Sequence, residues 1–283
     1  MKTINLSIGY PKRIVASGIN ITLEAGKLSC LIGENGVGKS TLLRTLAGFQ
    51  KPLSGELLVD GVELSDIPKR ELAKKIAVVL TDKPDVQNTT VHELVSMGRM
   101  PYTGFFGRLS KEDEAIVEDS LKITGVEPSR KVNSLSDGER QKVMIARALA
   151  QQTPYIFLDE PTAFLDYPSK VRTMEMLKQL ARDYNKTILL STHDLEIALA
   201  QADTIVMMER ITPPNLQNVG RGFPSRPSAQ ERLTNVRPTS ETEENVGRGF
   251  PSRPQVIVTI GKPKHRNNEK IPSFTADALL IKP

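Results

Sequence analysis

Residues 33–41 read Gly33-Glu34-Asn35-Gly36-Val37-Gly38-Lys39-Ser40-Thr41, and no other stretch restricts the folding of this chain so tightly. They match G-x-x-x-x-G-K-[ST], follow the apolar run 28–32, and lead into a helical pattern over about 39–47 that Gly48 can stop. Strand, glycine-rich loop and helix in that order describe a phosphate cradle. The glycines let the backbone curl until successive N–H groups converge on phosphate oxygens, and the helix N-terminus adds partial positive charge. Lys39 is expected to reach the β- and γ-phosphates and the Ser40 hydroxyl to ligate Mg²⁺. The bland alternative, a glycine turn capping a helix, leaves Lys-Ser-Thr in register unexplained.

Tyr155-Ile156-Phe157-Leu158-Asp159-Glu160 supplies the second half of such a site. Four apolar residues ending in two acids describe a buried strand whose C-terminal tip meets solvent, where ligands collect in open α/β sheets. Asp159 is expected to hold Mg²⁺, directly or through water, and Glu160 to orient and deprotonate an attacking water. Alone, the pair would read as a solvated strand edge; the upstream phosphate loop reverses that weighting.

The remaining pattern agrees with a nucleotide-binding α/β core. Residues 3–8 alternate as a half-buried strand does, 19–23 alternate again, and 24–27 form a turn. The runs 155–158, 187–191 and 204–208 are apolar without alternation, as strands buried on both faces of a mainly parallel sheet are. Helical patterns at about 169–184 and 194–201 separate them, and 91–150 is mostly helical. This predicts an α/β core with a helical insertion.

Composition divides the chain at about residue 210. Hydrophobic content of 39% and charged content of 25% are ordinary for a globular protein. The net charge of +5 belongs wholly to residues 211–283, which hold 11 of the 38 basic and 6 of the 33 acidic residues, with 10 of the 19 prolines. The decapeptide Asn-Val-Gly-Arg-Gly-Phe-Pro-Ser-Arg-Pro occurs there at 218–227 and again at 245–254. Two copies make no solenoid, and each offers almost nothing to bury, so disorder is predicted. The single Cys30, inside an apolar run, is expected to be a buried small hydrophobe. With no signal-like N-terminal run and no stretch of about 18 apolar residues, a cytoplasmic location is expected.

A family resemblance narrows the nucleotide site. Leu135-Ser136-Asp137-Gly138-Glu139-Arg140-Gln141, running into 142–149, resembles the ABC signature L-S-G-G-Q and its arginine-bearing helix. Asp159-Glu160-Pro161-Thr162-Ala163-Phe164-Leu165-Asp166 is similar to the family's D-E-P-T and D-loop, Ser191-Thr192-His193-Asp194 to its switch histidine, and Tyr10 to the aromatic that stacks on adenine. Five motifs in order cover about 1–210. The resemblance implies a P-loop NTPase of the ABC type, α/β, with a mainly parallel sheet core, an antiparallel β subdomain, a helical subdomain at about 82–150 and an irregular C-terminal tail. It implies ATP and Mg²⁺ as cofactors, and ATP hydrolysis coupled to transport. The expected partners are a second copy in a head-to-tail homodimer, a polytopic membrane permease and, indirectly, a substrate-binding protein. The protein would then sit peripherally on the inner face of the cell membrane.

In that arrangement residues Gly33, Glu34, Asn35, Gly36, Val37, Gly38, Lys39, Ser40 and Thr41 of one subunit and Ser136 and Gly138 of the other enclose one ATP. His193 would contact the γ-phosphate in cis and hold Glu160 and water in line, Asp166 would link the two sites, and Ser40 and Asp159 would hold the metal. Two departures stand out. Asp137 and Glu139 replace the first signature glycine and the glutamine, and Asp137 is expected to cap the helix from its first turn, where carboxylates are favoured. Thr81 stands where the family has a metal-side glutamine; Thr81, Asp82 or Gln87 would supply the oxygen, and weaker or differently coupled hydrolysis follows.

Thr90-Val91-His92-Glu93-Leu94-Val95-Ser96-Met97-Gly98-Arg99-Met100-Pro101-Tyr102, with Phe105-Phe106-Gly107-Arg108 after it, resembles a stretch of the ATPases that serve ferric-siderophore, haem and cobalamin importers. This implies a dock for a permease helix, against the simpler reading in which Gly98, Pro101 and Tyr102 shape a helix end. Two readings of the tail stay open. In one, 211–255 is an insertion and 256–283 holds a returning strand with a C-terminal remnant; in the other, everything after Arg210 is foreign sequence. Two rival functions stay open as well, a regulatory module with impaired hydrolysis and a nucleic-acid-associated ATPase. Nucleic acid is the less expected partner, since most of the tail's arginines adjoin glycine or proline.

Overall fold

In the computed structural model, which describes residues 1–81, 88–104, 107–211, 255–264 and 273–276, the apolar runs lie side by side in one sheet. Along the chain come β1 (Lys2–Tyr10), β2 (Arg13–Ile19), β3 (Leu28–Gly33), α1 (Lys39–Leu46), β4 (Ser54–Val59), β5 (Val62–Glu63), α2 (Lys69–Lys75) and β6 (Ile76–Val79). Three helices follow, α3 (Val91–Ser96), α4 (Lys111–Thr124) and α5 (Asp137–Ala150). Then come β7 (Tyr155–Leu158), α6 (Tyr167–Asp183), β8 (Thr187–Thr192), α7 (Leu195–Gln201), β9 (Thr204–Ile211), β10 (Gln255–Lys264) and β11 (Ser273–Ala276). The larger sheet has the order β11-β10-β9-β3-β8-β7-β6, parallel from β9 to β6. The smaller one, β2-β1-β4-β5, is antiparallel throughout.

The runs without alternation are explained by two cores, one on each face of the parallel sheet. Cys30, Ile156, Leu158, Ile188, Leu190 and Ile205 face a core shared with α5, α6 and α7. Their sequence neighbours Leu31, Phe157, Leu189 and Val206 face the other, shared with α1 and the antiparallel sheet. Phe157 is fully buried, so Phe157→Ala would cost about 3–5 kcal/mol. Because β3 lies between β8 and β9, with β7 beyond β8, their C-terminal ends gather along one edge. That edge carries the phosphate loop and the acidic pair.

Two expectations at the margins need correction. The alternation at 19–23 points to a strand, yet the strand is β2, ending at Ile19. Beyond it the bridge Lys2↔Thr22 and isolated bonds such as Thr3 N to Ile21 O (2.8 Å) and Leu23 N to Met1 O (2.9 Å) continue without a ladder. Asn5, at φ 46°, bends β1 out of register, and the Asn20 side chain accepts its N–H at 2.9 Å in place of a ladder bond. Likewise β9 runs past 208 to Ile211, since β10 supplies backbone partners from Gly261↔Ile205 to Gln255↔Ile211. The side chains of Val258 and Ile260 pack on the core beside α1.

Candidate active site

The phosphate loop leaves β3 at Gly33 and returns as α1. Its glycines answer local geometry: at Gly38, with φ 125°, a Cβ would lie 2.4 Å from Val15 Cγ1. The Lys39 side chain folds back over the loop, where Nζ donates to Gly33 O at 2.8 Å and to Glu34 O at 3.2 Å. The lysine is 5% exposed, so its charge is held inside the loop rather than in solvent. Tyr10, Asn35, Gly36, Val37, Gly38, Lys39, Ser40 and Thr41 line one open cleft of about 600 Å³, together with Glu160 and Arg210. Such a volume suits a small-molecule site. The exposed ring of Tyr10 closes β1 at its mouth.

The acidic pair is anchored by contacts distant in sequence. Asp159 N continues the ladder to Val79 O at 2.8 Å. The fully buried Ser191 hydroxyl donates to Asp159 Oδ1 at 2.7 Å and accepts the Glu160 N–H at 2.8 Å. Thr81 Oγ1 donates to the Asp159 carbonyl at 2.9 Å. Glu160 sits at φ 49°, a left-handed conformation that costs a non-glycine residue on the order of 1–3 kcal/mol. The bend turns its carboxylate into the cleft, 3.7 Å from Lys39 Nζ and 4.0 Å from His193 Nδ1. His193 is half exposed and, among the described residues, reaches the site through Glu160. Beside it, Asp194 is paired with Lys170 at 2.5 Å.

The metal-side donors fit a hydrated cation. Asp159 is buried with one carboxylate oxygen engaged by Ser191, and Ser40 borders the cleft. Among the described residues no cluster of three or more His, Cys, Asp or Glu forms, and Mg²⁺ held by phosphate and water takes only one or two protein ligands.

Ser136, Gly138 and Asp166 lie outside this cleft. Ser136, not Asp137, is the N-cap of α5: its hydroxyl accepts Glu139 N at 3.3 Å while Ser136 N and Oγ both donate to the Glu139 carboxylate. Asp137 is the first residue of the helix, and the capping role expected of it falls to the Ser136 hydroxyl. Arg130 pairs with Glu139 from the other side. The Ser136 amide and Arg130 together draw the Glu139 pKa down to about 2. A Cβ at Gly138 would approach Leu165 Cδ2 to 3.3 Å, so signature and D-loop pack directly. Asp166 caps α6, accepting Ser169 N at 2.8 Å.

In the 90–102 stretch several residues are structural. Gly98 has no room for a Cβ, which would lie 2.4 Å from Arg147 O. The buried Arg99 donates to Asp113 Oδ1 at 2.8 Å, and Tyr102 Oη donates to Gln151 O at 3.0 Å. Met97 and Met100 remain exposed. Asp82, Gln87, Phe105 and Phe106, and both decapeptide copies, lie outside the described residues. Sequence reasoning passed over Ser191 as an anchor and missed Arg210. Ser191 stood in the switch motif without a role, and Arg210 belongs to no motif.

Residues 16–163 match the ABC transporter family. The chain is 41% identical over 233 residues to an uncharacterized ABC transporter ATP-binding protein of Methanocaldococcus jannaschii, a match covering 82% of this chain and 79% of that one. It is 39% identical to the probable siderophore transport system ATP-binding protein YusV of Bacillus subtilis, over 74% of this chain and 77% of that one. Among solved structures, a dimeric ATP-binding cassette in a post-hydrolysis state with ADP and Pi superposes with a TM-score of 0.63 at 30% identity, over 73% of this chain and 93% of that one.

Proposed function

Since the chain belongs to the ABC transporter family, as an ATP-binding protein and ATPase, we propose that it energises an importer of a ferric siderophore, haem or cobalamin, a ferric siderophore being the best supported cargo. The motor reading is carried by one relationship: the lysine of the phosphate loop and the carboxylate of Glu160 face each other at 3.7 Å across the same cleft. Lys39 and the loop N–H groups bind the phosphates, Tyr10 stacks on the base, and Glu160 takes the proton of the attacking water. His193 keeps Glu160 in line. Ser40 and Asp159 would hold Mg²⁺, which supplies neutralisation of charge on the β- and γ-phosphates.

Ser136, Gly138 and Asp166 are absent from the cleft their own subunit forms, and this supports a head-to-tail dimer in which they serve the partner's nucleotide, as the dimeric relative leads one to expect. Among the described residues no helix is long and apolar enough to cross a membrane. Transport therefore calls for a polytopic permease, with this chain docked on the inner face of the cell membrane and Met97 and Met100 offered as apolar contacts. The cargo is supported by the 90–102 stretch and by the siderophore-system relative. The test is uptake of radiolabelled ferric siderophore by cells whose only copy is wild type or Glu160→Gln. Loss of uptake in the variant is expected; undiminished uptake would refute the reading.

A further inference from the structure

We infer that Arg210 is a further nucleotide-binding residue, giving a charge-assisted hydrogen bond to the phosphate chain while it latches the phosphate loop. The inference rests on the ATP-site reading above. β9 runs parallel to β3 with Gly33 opposite Met208, so β9 passes beside the start of the loop. Met208 is buried against that loop; a Cβ at Gly38 would lie 3.3 Å from its Cε, and one at Gly33 would lie 3.3 Å from its Cβ. Strand residues two apart share a face, so Arg210 extends from the same side as Met208, one step further out. There its Nη2 donates to Gly36 O at 2.6 Å, and the side chain borders the cleft of Lys39 and Ser40.

Two features favour a ligand over a simple latch. A guanidinium carries five N–H donors in a planar fork suited to phosphate, and the Gly36 bond engages one Nη2 donor. The cleft is also basic: among the described residues Arg13, Lys39 and Arg210 border it against the carboxylate of Glu160, a balance that a polyphosphate neutralises.

The test measures ATP affinity at two salt concentrations for the full chain, wild type and the variants Lys39→Ala, Arg210→Lys, Arg210→Gln and Arg210→Ala. Nucleotide-free melting temperatures check folding. Arg210→Gln removes the charge and, being two bonds shorter, the Gly36 bond as well, so salt dependence separates a ligand from a latch. This variant is expected to melt as wild type does, to bind ATP about tenfold more weakly, the size of one charge-assisted hydrogen bond, and to show a shallower salt dependence. Arg210→Lys should retain that salt dependence. Wild-type affinity and salt dependence in Arg210→Gln would reduce Arg210 to a latch and overturn the inference. Should Lys39→Ala leave ATP affinity unchanged, the site reading itself falls, and this inference with it.

Discussion

The buried Ser191 hydroxyl joins the two acids of the site, donating to Asp159 Oδ1 at 2.7 Å while accepting the Glu160 N–H at 2.8 Å. It thereby fixes the bend at φ 49° that aims Glu160 into the cleft. Ser191→Ala leaves a buried carboxylate oxygen and a main-chain N–H without this partner, at about 1–3 kcal/mol for each unsatisfied group. We expect a melting temperature lower by several degrees and ATP turnover reduced by at least about tenfold. A variant that melts and turns over as wild type would show that the bend is held by other contacts.

Glu160 and Lys39 meet at 3.7 Å, and under the proposed function they divide the labour between hydrolysis and binding. Glu160→Gln should cut turnover by roughly 10²–10⁴ if the carboxylate is the general base. Because Lys39 keeps both carbonyl partners in that variant, ATP affinity should stay near wild type. Steady-state turnover and equilibrium binding, measured together, decide it; equal losses in both would mean that the carboxylate positions the loop instead.

Much of this site was legible because its parts are local. The loop 33–41, the acids after β7 and the capped signature helix each lie within one short stretch. What joins them is not local. Ser191 reaches Glu160 across 31 positions, and Thr81 reaches the Asp159 carbonyl across 78. Arg210 meets Gly36 only because β9 happens to be the neighbour of β3. The true span of β2 was hidden for a similar reason: its pairing with a bulged β1 outweighs the clearer alternation at 19–23. Periodicity reports which residues face a core, whereas strand order decides which ends meet.

Glu139 carries an acid into the signature, and its environment accounts for that. The Ser136 amide, Arg130 and the Ser136 hydroxyl hold its pKa down at about 2, against an ordinary 4.5. A carboxyl depressed on folding stabilises the protein above its unfolded pKa, and that contribution is lost as pH falls through the folded one. The window therefore runs from about pH 4.5 down to about pH 2. Glu139→Gln can still close the capping box but does not titrate. Urea midpoints measured across this range should fall less steeply in the variant; parallel curves would remove Glu139 from acid unfolding.

Thr81 stands where the family resemblance would place a metal-side glutamine, and its hydroxyl donates to the Asp159 carbonyl at 2.9 Å. It thus touches, through the main chain, the acid proposed to hold the metal. Thr81→Gln should alter basal turnover and its stimulation by the permease by about three- to tenfold, the weight of one hydrogen bond made in the transition state. Turnover assays with and without the reconstituted permease test this, and no change in either would end the argument.

The segment between β9 and β10 offers the cleanest separation of the two readings of the tail. Ile211 and Gln255 are direct partners at the end of an antiparallel ladder of seven pairs. Antiparallel partners in that position are ordinarily joined by a two-residue turn, most readily Asn-Gly. We propose that 212–254 is an insertion into such a hairpin. Replacing it by Asn-Gly should therefore keep β10 on the core, since Val258 and Ile260 contribute apolar contacts there. The shortened protein is expected to melt within a few degrees of the full chain and to retain ATP binding, because Arg210 still sits on β9 beside Gly36. If the tail were foreign sequence, truncation after Ile211 would instead match the full chain in stability. The comparison of hairpin and truncation by thermal melting discriminates: the hairpin should be the more stable of the two, by the edge protection and the burial that β10 supplies.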